Sequence, residues 1–311
     1  MPEQTSASRA GGRHTSDPVL SPQFERGKAC FCPSHPIRIR PNRLAMTNAN
    51  PPVVILCGGK GLRLSGHGGE IPKALVEVGG RPILWHVMKI YSHYGYDRFI
   101  LCLGHLGSKI KEFFLEGHHW RMGDVTLNIK GGDRDEIVVH SAEKGWKITF
   151  AETGEETNTG GRLKRIARYI DSDTFFATYV DGVSDVNIAS LLEAHRRHGR
   201  MATLTSVNPS SQFGMLDVDG DGKVRRFLEK PRLDTWINGG FFVLNRSVLD
   251  QIGENSDLER DTLVQLAGQG ELVAHPHQGF WACMDTYKDT LTLSQLWSAG
   301  QAPWRVWDAN R

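Results

Sequence analysis

No stretch of the chain approaches the roughly 18 consecutive apolar residues that a membrane-crossing helix needs, so a soluble protein without a membrane partner is expected. Cysteine is scarce and its count is odd: Cys30, Cys32, Cys57, Cys102 and Cys283. "CFCPSH" (Cys30 to His35) superficially suggests a metal site, but it is not the paired CxxC of a zinc ribbon and no second half follows. A reduced, cytoplasmic protein is the expectation. An excess of charge is also missing. Residues 1–45 carry seven Lys/Arg against three Asp/Glu, and the rest carries 30 against 32, so the body lacks the basic balance of a nucleic-acid binder. Hydrophobic periodicity is lacking over residues 1–50, which are rich in Pro, Ser, Arg and Asn; they read as a disordered extension ahead of one domain over 51–311. The extension has no apolar centre of a secretory signal. It is loosely like an organelle transit peptide, and Met46 offers an alternative start. Deleting residues 1–45 is expected to leave folding and activity intact.

What is present is alternation. "VVILC" (from Val53), "RFILCLG" (Arg98), "WKITFAET" (Trp146), "TFFATYVDG" (Thr174) and "MATLTSV" (Met201) read as strands. Between them "PILWHVMKIYSHYG" (Pro82 to Gly95), "LGSKIKEFFLEG", "GGRLKRIARYI" and "VNIASLLEAHRRHG" read as helices, the first opened by Pro and closed by Gly. This pattern implies an α/β fold, Rossmann-like, with a mixed but mostly parallel sheet flanked by helices. "FGMLDVDGDGKVRRFLEKP" (Phe213 to Pro231) reads as a hairpin, "INGGFFVLN" (Ile237 to Asn245) as another strand, and helices around 258–268 and 286–298 close the chain.

The stretch "CGGKGLRL" (Cys57 to Leu64) directly follows the first strand, where open α/β sheets bind ligands. Glycines there let backbone N–H groups approach phosphate oxygens. Two phosphate patterns fail. A G-x-G-x-x-G fingerprint from Gly59 would need Gly at Leu64, and a P-loop would need Ser or Thr after Gly-Lys. Lys73, ten residues after Arg63, adds a second cation across an intervening polar loop.

"GGKGLRL…PKALVEVGGRPIL", together with "TGGRLKR", "YVDGVSD", "FGMLDV", "EKP", "INGGFFVLN", "GFWACMDT" and "LWSAGQAPW", resembles the sugar-phosphate nucleotidyltransferases, in particular the glucose-1-phosphate cytidylyltransferase branch. The resemblance runs from about Val53 to Trp307. It implies the nucleotide-diphospho-sugar transferase fold, with a small β-rich sugar-binding part. It implies transfer of a cytidylyl group from CTP to a sugar 1-phosphate, giving CDP-glucose and pyrophosphate, with Mg²⁺ and a homo-oligomeric state. UTP or dTTP, another sugar 1-phosphate, or a non-catalytic nucleotide-sugar-binding protein are the alternatives.

By that resemblance Gly58, Gly59, Gly61 and Leu62 cradle the nucleotide, with Thr157, Arg162 and Asp181 beside it. Arg63 and Lys73 are the catalytic cations. Asp181 and Asp285 are the metal ligands, and Glu229, Lys230, Asn238 and Gly239 hold the sugar phosphate. Each has a plainer alternative: surface cations for Arg63 and Lys73, helix N-caps for the two aspartates, a basic helix start for Arg162, a turn with ordinary charges for Glu229 and Lys230. Asp185 is a weaker candidate. "DVDGDG" (Asp217 to Gly222) opens like a calcium loop, but the closing Glu position is Leu228, so it reads as a hairpin turn. His195 and His198 lie three apart without a third ligand and read as packing or surface residues. The family's Thr is Leu62 here, and Val180 replaces a glycine, where a side chain could crowd the ribose or base.

Overall fold

Val53–Leu56 (β1) is apolar at every position and is buried on both sides, which requires a sheet covered on both faces. The structure, a computed structural model, describes residues 50–59, 71–114, 125–128, 136–139, 145–211 and 213–308. Gly61, Leu62, Arg63 and the 1–49 segment lie outside the described residues. β1 is joined by Arg98–Leu103 (β2), Lys147–Glu152 (β3), Thr174–Tyr179 (β4), Ala202–Val207 (β5), Ile237–Asn245 (β6) and Leu272–His277 (β7). They form one seven-stranded sheet in the order β7-β5-β6-β4-β1-β2-β3. β6 runs antiparallel to β5 and β4, and the other four pairings are parallel. The fold is therefore the mixed, mostly parallel α/β sheet expected. β7, an edge strand, was not legible because His and Pro276 interrupt its pattern; an edge tolerates Pro where a central strand does not.

The pleat divides the core. Val53 and Ile55 join Phe99, Leu101, Phe176 and Phe241 in one layer; Val54 and Leu56 join Ile100, Phe175 and Phe242 in the other. Helix Ile83–His93 (α1) covers the first layer with Ile83, Leu84, Val87, Met88, Ile90 and Tyr91, and the chain turns away at Gly95, φ 82°. The basic "GGRLKRIARYI" forms a shorter helix than expected, Thr159–Arg165 (α2), and then a 3-10 turn, Ala167–Tyr169. Ile188–His198 (α3) starts where Asn187 Oδ1 accepts the Ser190 N–H at 2.9 Å and ends at Gly199, φ 66°. Tyr287–Ser298 (α4) starts on a capping box between Thr286 and Asp289.

The strand order reverses at β1. The chain builds outward through β2 and β3, then returns to place β4 on the other side of β1, with Leu56 level with Tyr179. Such a reversal opens a crevice at the strands' carboxyl ends. The hairpin Met215–Val218 with Val224–Leu228 is present, and Asp219 Oδ1 accepts the N–H groups of Asp221 and Lys223 at 3.2 and 2.9 Å, so the "DVDGDG" stretch turns on its own backbone. His195 is buried between Thr203 Oγ1 at 2.8 Å and Asn245 Oδ1 at 2.9 Å, and His198 shares Thr203; both belong to packing. Trp304 is fully buried, stacks on Phe280, and donates its indole N–H to His86 Nδ1 at 3.3 Å. Trp297 and Trp307 pack against the same core layer. No helix among the described residues is long and apolar enough to cross a membrane.

Candidate active site

The cleft begins where β1 ends. Leu56, Cys57, Gly58 and Gly59, with Lys73, Tyr179, Val180 and Asp181, line a cavity of about 330 Å³. Its floor is held by Arg162, which is 4% exposed. The two terminal nitrogens of its guanidinium donate to Leu103 O (3.1 Å), Thr153 Oγ1 (2.8 Å), Gly154 O (2.8 Å), Gly58 O (3.0 Å) and Glu155 O (3.2 Å). The ends of β1, β2 and β3 all leave carbonyls there, and one planar cation satisfies them together. Burial lowers the Arg162 pKa below its ordinary value. Arg162 was expected beside the nucleotide. It borders the cleft, but its terminal donors are committed to the protein, so it builds the cradle from beneath. A Cβ on Gly58 or Gly104 would overlap the guanidinium, which is the local reason for glycine at both positions. Thr157 also lines the cleft, with Oγ1 accepting from Arg165 at 2.8 Å.

Lys73, on the short 3-10 turn Lys73–Leu75, reaches two carboxylates. Its Nζ lies 2.5 Å from Asp181 Oδ2 and 2.7 Å from Asp285 Oδ1. Asp181 follows β4 and leads into Gly182–Ser184, which pairs antiparallel with Trp281–Cys283. The ladder continues by one bond, Met284 N–H to Asp181 O at 2.9 Å, so the two aspartates are brought side by side by backbone pairing. Neither is an N-cap. Asp181 precedes a strand, and α4 is capped by Thr286. Asp289 Oδ2 accepts the N–H groups of Asp285 and Thr286 at 3.1 and 2.7 Å, which fixes the Asp285 backbone. Burial works against the charged Lys73 ammonium, but Asp181 and then Asp285 outweigh it and raise its pKa.

Asp181, Cys283 and Asp285 place one ligand atom each within 4.8 Å of one another. Burial, reinforced by both carboxylates, pushes the Cys283 thiol far up, so without a metal it is protonated. The two carboxylates fit a hard divalent cation of few protein ligands, and Lys73 lies between them.

The same cleft is lined by further residues that sequence reasoning missed: Asn158, Thr159, Tyr179 and Asp257. Tyr179 donates to Glu259 Oε1, and Thr159 Oγ1 donates to Glu259 Oε2 at 2.8 Å. Asp257 caps the next helical segment through Glu259 N–H at 3.0 Å and Arg260 N–H at 2.8 Å. Tyr179 sits inside "YVDG", two residues before Asp181, and that adjacency was the available signal. Val180 lines the cleft and is also 6% exposed and packed into the core layer, so most of its surface is taken up by the protein itself. Asp185 stands apart from the carboxylate pair: Oδ1 accepts Phe280 N–H at 2.7 Å and meets His277 Nε2 at 2.8 Å.

The expected sugar residues divide. Asn238 and Gly239 lie near the cleft at the start of β6: Asn238 Oδ1 accepts Gly240 N–H at 2.9 Å, and Gly239 O accepts the Trp281 indole N–H at 2.8 Å. Glu229 and Lys230 are exposed beside the hairpin and pair with each other at 3.5 Å, not with the Lys73 cluster. Lys230 holds φ 45°, a left-handed conformation a lysine rarely adopts.

A glycine-lined crevice at the switch point of a mostly parallel sheet, with a lysine between two convergent carboxylates, defines a nucleotide-binding α/β protein equipped for phosphate chemistry. The chain belongs to the nucleotidyl transferase family, whose sequence model matches residues 52–302. It is 46% identical over 258 residues to the glucose-1-phosphate cytidylyltransferase of Salmonella typhi, covering 82% of this chain and 99% of that one. It is 45% identical over 256 residues to a probable glucose-1-phosphate cytidylyltransferase of Bacillus subtilis, with the same coverage. The crystal structure of HddC from Yersinia pseudotuberculosis shares the fold, with a TM-score of 0.59 at 22% identity, over 80% of this chain and all of that one.

Proposed function

We propose that the protein transfers a cytidylyl group from CTP to α-D-glucose 1-phosphate, giving CDP-glucose and pyrophosphate, with Mg²⁺ as the metal. The observation that carries this reading is Lys73 between Asp181 and Asp285 at the mouth of the glycine cleft. The cytidylyltransferases of Salmonella typhi and Bacillus subtilis, similar along nearly their whole length, support the substrate pair.

In this reading the N–H groups of Gly58 and Gly59, with Gly61 and Leu62 beyond the described residues, receive the triphosphate. The wall from Thr157 to Thr159 and Asp257 leaves room for the nucleoside. Asn238 and Gly239 orient the hexose, with Glu229 and Lys230 brought in from the hairpin. An oxygen of the sugar phosphate attacks the α-phosphorus; the bond from that phosphorus to the α–β bridging oxygen breaks, and pyrophosphate leaves. The nucleophile is already an anion, so no side chain has to remove a proton. The barrier is the approach of two anions, and the protein lowers it by positioning and fixed positive charge. Lys73 serves the α-phosphate and the sugar phosphate, and Arg63 the departing pyrophosphate. A divalent cation on Asp181 and Asp285 supplies further neutralisation of the phosphate oxygens. The family resemblance further implies a homo-oligomer, which light scattering of the full chain tests.

The deciding assay is pyrophosphate release with glucose 1-phosphate and Mg²⁺, offering CTP, UTP, dTTP, ATP and GTP separately. Turnover with CTP alone is expected. Turnover with another nucleotide corrects the base and keeps the mechanism; silence with all five, and with other sugar phosphates, removes the enzymatic reading.

A further inference from the structure

Lys73 occupies the space between the two carboxylates that the proposed metal would share. Its Nζ is within direct hydrogen-bond range of one oxygen on each carboxylate, 2.5 Å from Asp181 and 2.7 Å from Asp285. The backbones that carry the two carboxylates are held beside one another. Asp181 is tied through its carbonyl to Met284 N–H, and Asp285 through its N–H to Asp289. Lys73 is differently built: a four-carbon stem on a three-residue turn, with its side chain 15% exposed and bordering the cleft. It can swing toward the glycine loop by rotamer changes alone, and two cations at one place repel.

We propose that Lys73 and the divalent cation compete for the Asp181–Asp285 pair, so that metal loading displaces the Lys73 ammonium into the cleft. The lysine is then the resident counter-ion of the carboxylates first and a phosphate ligand second. This rests on the reading that the pair holds the metal. A phosphate in the cleft draws Lys73 away and thereby strengthens metal binding, and the coupling is reciprocal.

The test is Mn²⁺ titration of the full chain without nucleotide, with free ion read by electron paramagnetic resonance, on wild type, Lys73→Gln, Lys73→Arg and Asp181→Asn. Lys73→Gln is expected to bind Mn²⁺ about tenfold tighter or more than wild type. Lys73→Arg is expected to stay near wild type, and Asp181→Asn to bind weakest. Lys73→Gln binding no tighter than wild type overturns the competition while leaving the metal site standing. Asp181→Asn binding as well as wild type removes the metal site, and the competition with it. Because Lys73→Gln leaves two facing carboxylates and can fail to fold, a crystal structure of the wild type grown with Mn²⁺ tests the competition independently. Anomalous density between the aspartates, with Lys73 Nζ beyond hydrogen-bond reach of both, supports the inference; Lys73 still bonded to both carboxylates overturns it.

Discussion

Arg162→Ala is the most informative single change to the scaffold. Its guanidinium is the shared donor for four carbonyls and one hydroxyl at the ends of three adjacent strands. A hydrogen bond to a charged group is worth about 1.5–3 kcal/mol, and an acceptor left buried without a donor costs about 1–3 kcal/mol. The five contacts share four terminal N–H groups, and water entering from the cleft re-bonds the outer acceptors, so the values do not simply add. All five acceptors are neutral, Leu103 O keeps two donors from Thr153 and Gly58 O keeps the His105 N–H, so the expected loss is about 2–4 kcal/mol. That is a large part of the roughly 5–15 kcal/mol that keeps a domain folded. Arg162→Lys keeps the charge without the planar fork and is expected to recover about half. The assay is urea unfolding at neutral pH for the three proteins, together with CTP affinity by calorimetry. Affinity should fall alongside stability, because the Gly58 carbonyl then keeps only the longer bond from His105 N–H, at 3.3 Å. A stability loss in Arg162→Ala below about 1 kcal/mol, with affinity still lost, would refute the reasoning and return Arg162 to direct nucleotide contact.

Gly58→Ala is expected to lose both stability and CTP affinity, since its Cβ would overlap Arg162, whereas Gly59→Ala, with open space around its Cβ, should unfold within about 0.5 kcal/mol of wild type and lose affinity only; paired melts and titrations check both. Asp285→Asn should cut turnover by about a hundredfold or more and leave the melting temperature near wild type, because the side chain is 46% exposed and Asp289 holds its backbone. Burial lowers the His86 pKa to about 4, so the unfolded chain binds a proton there first as pH falls. Stability is therefore present above pH 6.5 and drains away between about 6.5 and 4, by roughly 3 kcal/mol in total. A His86→Asn protein should show a flatter pH dependence in urea melts, and an unchanged slope would count against the buried neutral imidazole.

Much of this was legible in the sequence because the physics was local. The all-apolar "VVIL" reads as a doubly covered strand, Pro82, Gly95 and Gly199 mark helix ends by backbone conformation, and Asn187 marks one by its side-chain cap. The placement of Lys73, Asp181 and Asp285 followed from resemblance rather than from any pattern within reach of one another. The fate of Arg162 was not legible, because it depends on carbonyls left at three strand ends, which only the assembled sheet creates. Tyr179, Thr159 and Asp257 escaped notice for a related reason, since the wall they form joins two segments nearly a hundred positions apart.

The short ladder that sets Asp181 beside Asp285 makes the centre a mark of completed synthesis. Lys73 meets partners 108 and 212 positions further along the chain. Closing loops of that length comes late in folding, after local helices and neighbouring strands have formed. A ribosome must release Trp281 to Asp285 before the pair exists. Copies that end before Asp285, or that have not yet closed these loops, therefore lack the carboxylate pair and the Lys73 bridge.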